Sequence, residues 1–353
     1  MPRSPLLVLF LNAAMWGAAQ TAPEQTAPPT DPHALIDAAA KFYDFSSADL
    51  KPWHLKATYQ LYDMKGKATA EGTWEYWWAS PKVHRSTWTR AGAERTDWQG
   101  ADGTLYRKES GEPLKYFERS IPGSLMSPLP AREFTAGTTR LDLKMIPAGS
   151  GQLACAVTTW VVDGKPRGPG PGGPNYKCFD SGTLALRMVH SQSITTEFNR
   201  VVKTQGRYLA QNIEISIGKV KAFSFSVEKI DGISSTDVAL TPAPDAVAVH
   251  DAITQPPPGS SPDQVTTGSL AKKSPPVYPA IAKAARIQGT VVLAATIGKD
   301  GKVYDLEVLA SPDRRLTESA LDSVKRWEYT PYLLNGVPVE VETTINVLYA
   351  LSP

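Results

Sequence analysis

Residues 289–310 decide the fold of the C-terminal region, and they are Gly-Thr-Val-Val-Leu-Ala-Ala-Thr-Ile-Gly-Lys-Asp-Gly-Lys-Val-Tyr-Asp-Leu-Glu-Val-Leu-Ala. Apolar side chains fall on every second residue from Val291 to Ile297 and again from Tyr304 to Val308. A period of two indicates a β-strand with one face in a core. The Asp300-Gly301 pair between the two runs is a favoured tight turn. The stretch therefore predicts a β-hairpin.

The elements around this hairpin complete a small α+β domain over residues 277–353. The stretch from Tyr278 to Ile287 predicts a short helix before the hairpin. After the hairpin, a stripe at helical spacing predicts a second helix that begins near Ser311 and Pro312. The stripe consists of Leu316, Ala320, Leu321, Val324 and Trp327. An evenly alternating strand from Val337 to Tyr349 comes last. The predicted order is αββαβ, with a three-stranded antiparallel sheet.

Several motifs of this region resemble the C-terminal domain of TonB, the periplasmic energy transducer. They are Ser274-Pro-Pro-Val-Tyr-Pro-Ala-Ile-Ala-Lys-Ala-Ala-Arg-Ile-Gln-Gly-Thr-Val291, Asp300-Gly-Lys-Val303, Ala320-Leu321, Trp327-Glu-Tyr-Thr-Pro331 and Asn335-Gly-Val-Pro-Val339. In that family the domain receives a short extended segment, the TonB box of an outer-membrane transporter, alongside its last strand. The resemblance implies partner binding by β-strand addition, which uses the unpaired backbone groups of an edge strand.

The last strand is therefore the expected docking edge, and the segment at Tyr278 and Pro279 is the next candidate. The partner-binding candidates are Tyr278, Pro279, Val339, Val341, Thr343, Thr344, Ile345, Asn346 and Val347. The expected partner is an outer-membrane TonB-dependent transporter or another envelope protein.

The N-terminus departs from the TonB pattern. A TonB transducer has an uncleaved transmembrane helix that carries a His and couples to a proton-driven motor, whereas the apolar run Leu6–Leu11 is short and contains no His. Arg3, this run and the small residues up to Ala19 follow the order of a signal peptide. We expect cleavage after Ala19 and a periplasmic mature protein. A membrane-anchored energy transducer with an uncleaved N-terminus stays open as the first alternative.

Residues 33–240 are predicted to form one large antiparallel β domain after a disordered segment at 20–32. A helix begins the domain, with Asp31 as its N-cap and Pro32 at the first helical position. Beyond Trp53 apolar residues alternate through strands that Gly, Asp and Pro turns connect.

Three segments of this domain resemble the LolA and LppX group of periplasmic lipoprotein and lipid carriers. They are Gly72-Thr-Trp-Glu-Tyr-Trp-Trp-Ala-Ser-Pro-Lys-Val-His-Arg85, Gln99-Gly-Ala-Asp-Gly-Thr-Leu-Tyr106 and Cys178-Phe-Asp-Ser-Gly-Thr-Leu-Ala-Leu-Arg187. Those carriers are half-barrels of antiparallel strands with helices over a hydrophobic cavity. A LolA-like lipid carrier is the second alternative function.

Aromatic residues crowd this domain. Because Trp77 opposes its neighbours across the strand, aromatic side chains occupy both faces, which predicts a sheet buried on both sides. The candidates for the lining of a lipid cavity are Trp74, Tyr76, Trp78 and Trp88. The competing interpretation is an ordinary aromatic core that needs no ligand.

Cys155 and Cys178 are the two cysteines of the chain. In an exported protein an even pair predicts a disulfide. They flank the Gly- and Pro-rich residues 163–174, so we expect the bridge to staple a hairpin with a long tip. The spacing is not C-x-x-C, which argues against a catalytic dithiol.

Composition and motifs exclude several classes of function. The 37 Lys and Arg residues nearly balance the 35 Asp and Glu residues. The net charge of +2 does not indicate a nucleic-acid-binding protein. Many of the 30 prolines fall in residues 241–276, which are predicted to be an extended linker between the domains. The five His show no metal spacing, and neither a G-x-S-x-G nor a P-loop motif occurs. Residues 168–173 match the letters G-x-G-x-x-G, but they follow no strand-to-helix pattern that could cradle a phosphate. We predict a binding and transport protein without enzyme activity, cofactor or metal.

Overall fold

The computed structural model describes residues 28–45, 47–129, 139–149, 151–163, 165–168, 175–249, 265–266 and 268–351. The predicted signal peptide, residues 20–27 of the predicted disordered segment, the Gly-rich tip at 169–174 and the middle of the Pro-rich linker lie outside these ranges.

One large antiparallel sheet dominates the first 250 residues. Its strands are β1 (Trp53–Tyr62), β2 (Ala68–Ser80), β3 (Val83–Arg90), β4 (Ala93–Gln99), β5 (Leu105–Gly111), β6 (Thr139–Ala148), β7 (Gly151–Val162), β8 (Lys165–Gly168), β9 (Asn175–Asp180), β10 (Leu186–Ser191), β11 (Ile194–Thr204), β12 (Arg207–Ile217), β13 (Val220–Gly232) and β14 (Val247–Val249). The order across the sheet is β14-β5-β4-β3-β2-β1-β13-β12-β11-β10-β9-β7-β6, and β8 pairs with β7. The predicted large antiparallel sheet is confirmed.

Alternation along the strands builds the core on one face of this sheet. In β1 every second side chain is buried from Trp53 to Leu61. Because successive residues of a strand point to opposite faces, this pattern defines the inner face. A helix, α1 (Pro32–Ala40), packs Leu35 and Ala39 against it. The Asp31 carboxylate accepts a hydrogen bond from the Ala34 N–H at 2.8 Å, so the predicted N-cap is confirmed.

A second helix, α2 (Tyr116–Met126), was not predicted, and it buries Phe117, Ile121 and Leu125 against the same face. Pro122 lies inside α2 and argues against a helix in the sequence, since proline removes a backbone hydrogen-bond donor. Glu118 of this helix has a fully buried side chain. Its carboxylate accepts hydrogen bonds from Tyr59 Oη at 2.5 Å and from Arg90 Nε at 3.0 Å. Burial, followed by the bond to Glu118, raises the pKa of Tyr59. This paired charge fixes α2 on the sheet.

Short elements connect the large sheet to the C-terminal region. They are a 3-10 turn (Val238–Leu240) and the strands β15 (Val265–Thr266) and β16 (Leu270–Lys272). The C-terminal region then continues with α3 (Ala280–Ala284), β17 (Gly289–Ile297), β18 (Val303–Ala310), α4 (Arg314–Val324), β19 (Glu328–Tyr329), β20 (Tyr332–Leu334), β21 (Val337–Val339) and β22 (Val341–Tyr349). Three of these strands form a small sheet in the order β18-β17-β22, with antiparallel pairing throughout. A small antiparallel sheet was predicted and is present.

Helix α4 covers one face of this small sheet. Its stripe packs on alternate residues of β17 and β22 in a single apolar cluster. The cluster is centred on Leu293, Ile297, Leu316, Ala320, Val324 and Ile345. The N-cap is Asp313, whose carboxylate accepts from the Arg315 N–H at 2.8 Å, two residues beyond the predicted start at Ser311.

The other face of the small sheet packs on the N-terminal part of the chain. Val292 and Ala294 of β17 and Leu309 of β18 belong to the same buried cluster as the inner face of the large sheet. Because β17 contributes alternate residues to two cores, the small sheet is covered on both faces. These contacts set the position of β22 relative to the N-terminal strands.

Candidate functional site

Strand β22 is the outer strand of the small sheet. Among the described strands it pairs with β17 alone, in the register Gly289↔Tyr349 to Ile297↔Val341. Alternate backbone N–H and C=O groups of such a strand point away from the sheet. This free edge is the candidate site.

The odd-numbered face of β22 holds the strand against α4. Ile345, Val347 and Tyr349 are buried. The Tyr278 ring packs edge-on against Tyr349 at 5.4 Å between centroids, and its hydroxyl donates to the Ile287 carbonyl. Tyr278 therefore positions the end of β22.

The even-numbered face of β22 carries polar contacts to the N-terminal part. Arg119 of α2 donates from Nε to Glu342 Oε1 at 2.9 Å, and Asn346 Nδ2 donates to Ser193 Oγ at 3.4 Å. Two positions along the strand thus reach the N-terminal part.

A groove of ≈ 790 Å³ runs beside β22. Thr344 to Leu348 line one side of it. The remaining walls come from Gln192 and Ser193 in the β10–β11 turn, from Leu270, Lys273 and Pro276, and from Thr290, Trp327 and Tyr329. The groove is therefore built by sequence-distant segments that only the tertiary fold brings together.

The structure divides the predicted docking strand. Val341, Thr343, Thr344, Ile345, Asn346 and Val347 lie together on β22, as expected. Val339 lies on the separate strand β21, which folds back on β20 across Asn335 and Gly336. Both turn residues have positive φ, of 53° and 77°, which is the geometry of a tight hairpin. Pro279 is the N-cap of α3. Their roles in binding stay predictions.

Sequence reasoning missed Gln192, Ser193, Leu270 and Lys273. Positive φ at Gln192 marks a turn, but φ cannot be read from the sequence. Nothing in the local pattern places this turn next to a strand that begins about 150 residues later.

The aromatic candidates for a lipid cavity lie on the inner face of the large sheet. Trp74, Trp78 and Trp88 are at most 5% exposed, and Tyr76 packs against them. Ring centroids of Trp74 and Tyr76 are 5.5 Å apart. The indole N–H of Trp74 donates to Ser86 Oγ at 2.7 Å, and that of Trp88 to the Glu118 carbonyl at 3.0 Å. These contacts are those of an aromatic core, and a lipid cavity stays a prediction.

The predicted disulfide between Cys155 and Cys178 is present. The two residues are direct cross-strand neighbours on β7 and β9, and both are buried. The bridge therefore links two neighbouring strands of the large sheet.

Two features are absent from the described ranges. Within them, no group of three or more His, Cys, Asp or Glu residues is arranged to hold a metal ion. No helix in the same ranges combines the length and the hydropathy that a membrane crossing requires.

Residues 274–351 match the family described as Gram-negative bacterial TonB protein C-terminal. The TonB protein of Vibrio cholerae is 34% identical over 77 residues, which are 22% of this chain and 32% of that protein. The TonB protein of Pseudomonas aeruginosa is 34% identical over 74 residues, which are 21% of this chain and 22% of that protein. The chain thus spans a third or less of these two relatives. The predicted resemblance of the C-terminal region is confirmed.

Two solved structures resemble the chain more distantly. A DUF1329 family protein from Desulfovibrio piger is 13% identical, with a TM-score of 0.36, and the match covers 60% of this chain and 96% of that one. A LolA superfamily protein from Nitrosomonas europaea is 9% identical, again with a TM-score of 0.36, over 60% and 97%. Similarity of this size carries no argument about function.

Proposed function

We propose that this chain is an envelope protein whose C-terminal domain captures an extended segment of a partner protein alongside β22 by β-strand addition. The observation that carries the proposal is the position of β22 at the edge of its sheet with an open groove along Thr344 to Leu348. An edge strand with room beside it can accept one more strand.

The physical basis is the backbone of β22. Each alternate residue offers an N–H and a C=O that a neighbouring strand can pair with, and each pair replaces bonds to water. The buried odd-numbered side chains hold the strand against α4, so the edge is formed before the partner arrives. A pre-organised edge reduces the entropy cost of binding.

The proposed partner is the TonB box of an outer-membrane transporter, and the proposed setting is transport across the envelope, with the mature chain in the periplasm. The TonB family match over residues 274–351 supports this choice. The proposal covers binding and does not extend to coupling to a proton-driven motor.

The test uses the full chain and a synthetic TonB-box peptide. Two further peptides carry N-methyl groups on odd or on even backbone positions, which removes alternate N–H donors without changing side chains. Strand addition predicts that one methylated peptide loses binding and the other keeps it, because only alternate donors face β22. Fluorescence anisotropy measures the three dissociation constants. Equal affinities for all three peptides would overturn the proposal.

A further inference from the structure

The groove beside β22 follows the backbone edge of the strand. It is lined by five consecutive residues, from Thr344 to Leu348. Successive side chains of a strand point to opposite faces, so consecutive residues can share one groove only along the edge. A strand-shaped occupant is therefore favoured over a compact ligand.

Part of the groove wall belongs to the N-terminal part of the chain. The turn at Gln192 and Ser193 reaches β22, where Asn346 Nδ2 donates a long 3.4 Å hydrogen bond to Ser193 Oγ. In the described part of the chain, Gln192 Oε1 and Asn346 Oδ1 are buried and accept no hydrogen bond. Buried carbonyl oxygens without a donor are unfavourable. Both residues line the groove, so rotation of either side chain would turn its unpaired oxygen toward a donor of an incoming segment.

We infer that the docking groove is shared by both domains, and that Gln192 and Asn346 accept hydrogen bonds from the captured segment. The inference rests on the proposed function and adds the N-terminal domain to the binding site. Backbone pairing along β22 gives affinity with little preference for sequence, whereas side-chain contacts select between segments. The β10–β11 turn would supply that selection.

The groove also indicates the chemistry of the segment. A side chain with an N–H or O–H donor fits this part of the groove, because Gln192 and Asn346 both line it and each has an unpaired oxygen. Leu270 and Leu348 line the same groove and are 39% and 63% exposed, so an apolar side chain of the segment can cover them. The occupant is an extended segment of a partner protein that carries one donor side chain and one apolar side chain.

The test compares two turns at opposite ends of β11. Gln192→Ala removes one acceptor from the groove. Gln205→Ala is the matched control, because Gln205 also lies in a hairpin turn with positive φ, 48° against 58° for Gln192, but its amide bonds to the Lys51 backbone. We expect Gln192→Ala to weaken binding of the TonB-box peptide about three- to ten-fold. Gln205→Ala should change it by less than about two-fold.

A second measurement separates direct contact from a shift of the turn. Each donor side chain of the peptide is replaced by alanine in turn, and each peptide is titrated against the parent and Gln192→Ala proteins. Direct contact predicts that one replacement costs affinity in the parent but not in Gln192→Ala, because the two changes remove the same bond.

The outcomes are distinguishable. If the peptide binds the parent and Gln192→Ala equally well, the shared groove is wrong and strand addition stands. If every alanine replacement in the peptide costs the same affinity in the parent and in Gln192→Ala, the direct contact between Gln192 and the peptide is also wrong. If the parent does not bind the peptide, the proposed function fails and the inference with it. A dimer of the chain in sizing experiments without peptide binding would assign the groove to a second copy and overturn the inference.

Discussion

Arg119 on α2 and Glu342 on β22 form an ion pair that ties the N-terminal core to the proposed docking strand. The Arg119 Nε lies 2.9 Å from Glu342 Oε1, and the Nη2 atom contacts the same oxygen. The Glu342 side chain is only 8% exposed. Nearby, the Tyr116 N–H donates to Glu307 Oε2 at 2.9 Å, and burial raises the pKa of Glu307. The strand is thus fixed through both of its faces while its edge stays open.

Glu342→Gln should lower the free energy of unfolding by about 2 kcal/mol, because it removes a charged acceptor and leaves a largely buried guanidinium less compensated. Urea unfolding of the full chain measures the change. A double-mutant cycle with Arg119→Gln should give a coupling of at least about 0.5 kcal/mol.

The control is Glu328→Gln. Glu328 pairs with Lys272 at 2.8 Å, but both side chains are about half exposed or more. Exposed ion pairs contribute less than about 1 kcal/mol, so this variant should unfold almost as the parent does. Equal losses in the two variants would contradict a special role for the Arg119–Glu342 pair.

Proline at Thr343 and at Thr344 should give opposite results. Their N–H groups point to opposite sides of β22, so one substitution breaks the ladder to β17 and the other removes a donor from the free edge. The first variant should lose stability, and the second should fold but bind the TonB-box peptide roughly five-fold more weakly for each hydrogen bond lost. Thermal unfolding and peptide titration measure both.

Glu340→Ala serves as the control for these variants, because it lies before β22 and keeps the backbone donors. It should bind the peptide as the parent does. If both proline variants fold and bind like the parent, the docking edge lies elsewhere, and the segment at Tyr278 and Pro279 becomes the next candidate.

Replacing Cys155 and Cys178 together by alanine should lower the free energy of unfolding by about 3 kcal/mol, since the bridge closes a loop over a sequence separation of 23. Reductant should lower the stability of the parent by a similar amount and leave the double variant unchanged. Urea unfolding with and without dithiothreitol measures both. A parent protein that is indifferent to reductant would show that the bridge contributes little.

Local signals predicted the parts of the fold that depend on neighbouring residues. The Asp300-Gly301 turn is one case: Gly301 has φ 77°, and a Cβ there would come within 1.9 Å of the Tyr329 carbonyl oxygen, so only glycine fits. The hairpin and the stripe on α4 follow from periods of two and 3.6 in the same way.

Trp77 shows what the sequence pattern could and could not predict. Aromatic residues on both faces of β2 predicted a sheet buried on both sides. On the outer face the Trp77 ring stacks on His54 at 4.3 Å, and the Arg85 guanidinium lies 4.2 Å from its centroid. Trp98 on the same face is buried, and its indole N–H donates to the Ala239 carbonyl of the 3-10 turn at 3.1 Å. This part of the sheet is therefore covered on its outer face, but the turn that covers it was not predicted. The position of Gln192 in the groove beside β22 could not be predicted either, because tertiary packing alone brings these distant residues together.

His84 should make the protein sensitive to mild acid. Its ring lies on the inner face, 5.5 Å from the ring of Tyr76, and burial lowers its pKa to about 4 from an ordinary value of about 6.5. Between these two pH values the unfolded chain binds a proton that the folded chain does not. The free energy of unfolding should therefore fall as the pH falls through this window, by up to about 3 kcal/mol, and His84 should add no further loss below about pH 4.

His84→Gln removes this titration and keeps a side chain of similar polarity. Urea unfolding of the parent and the variant at pH 7.5, 6, 5 and 4 measures the slope of stability against pH. All other groups titrate alike in both proteins, so the parent should lose more stability on acidification than the variant does. If the two lose the same amount, His84 is protonated as readily in the folded chain as in the unfolded one, and the aromatic inner face admits water at this position.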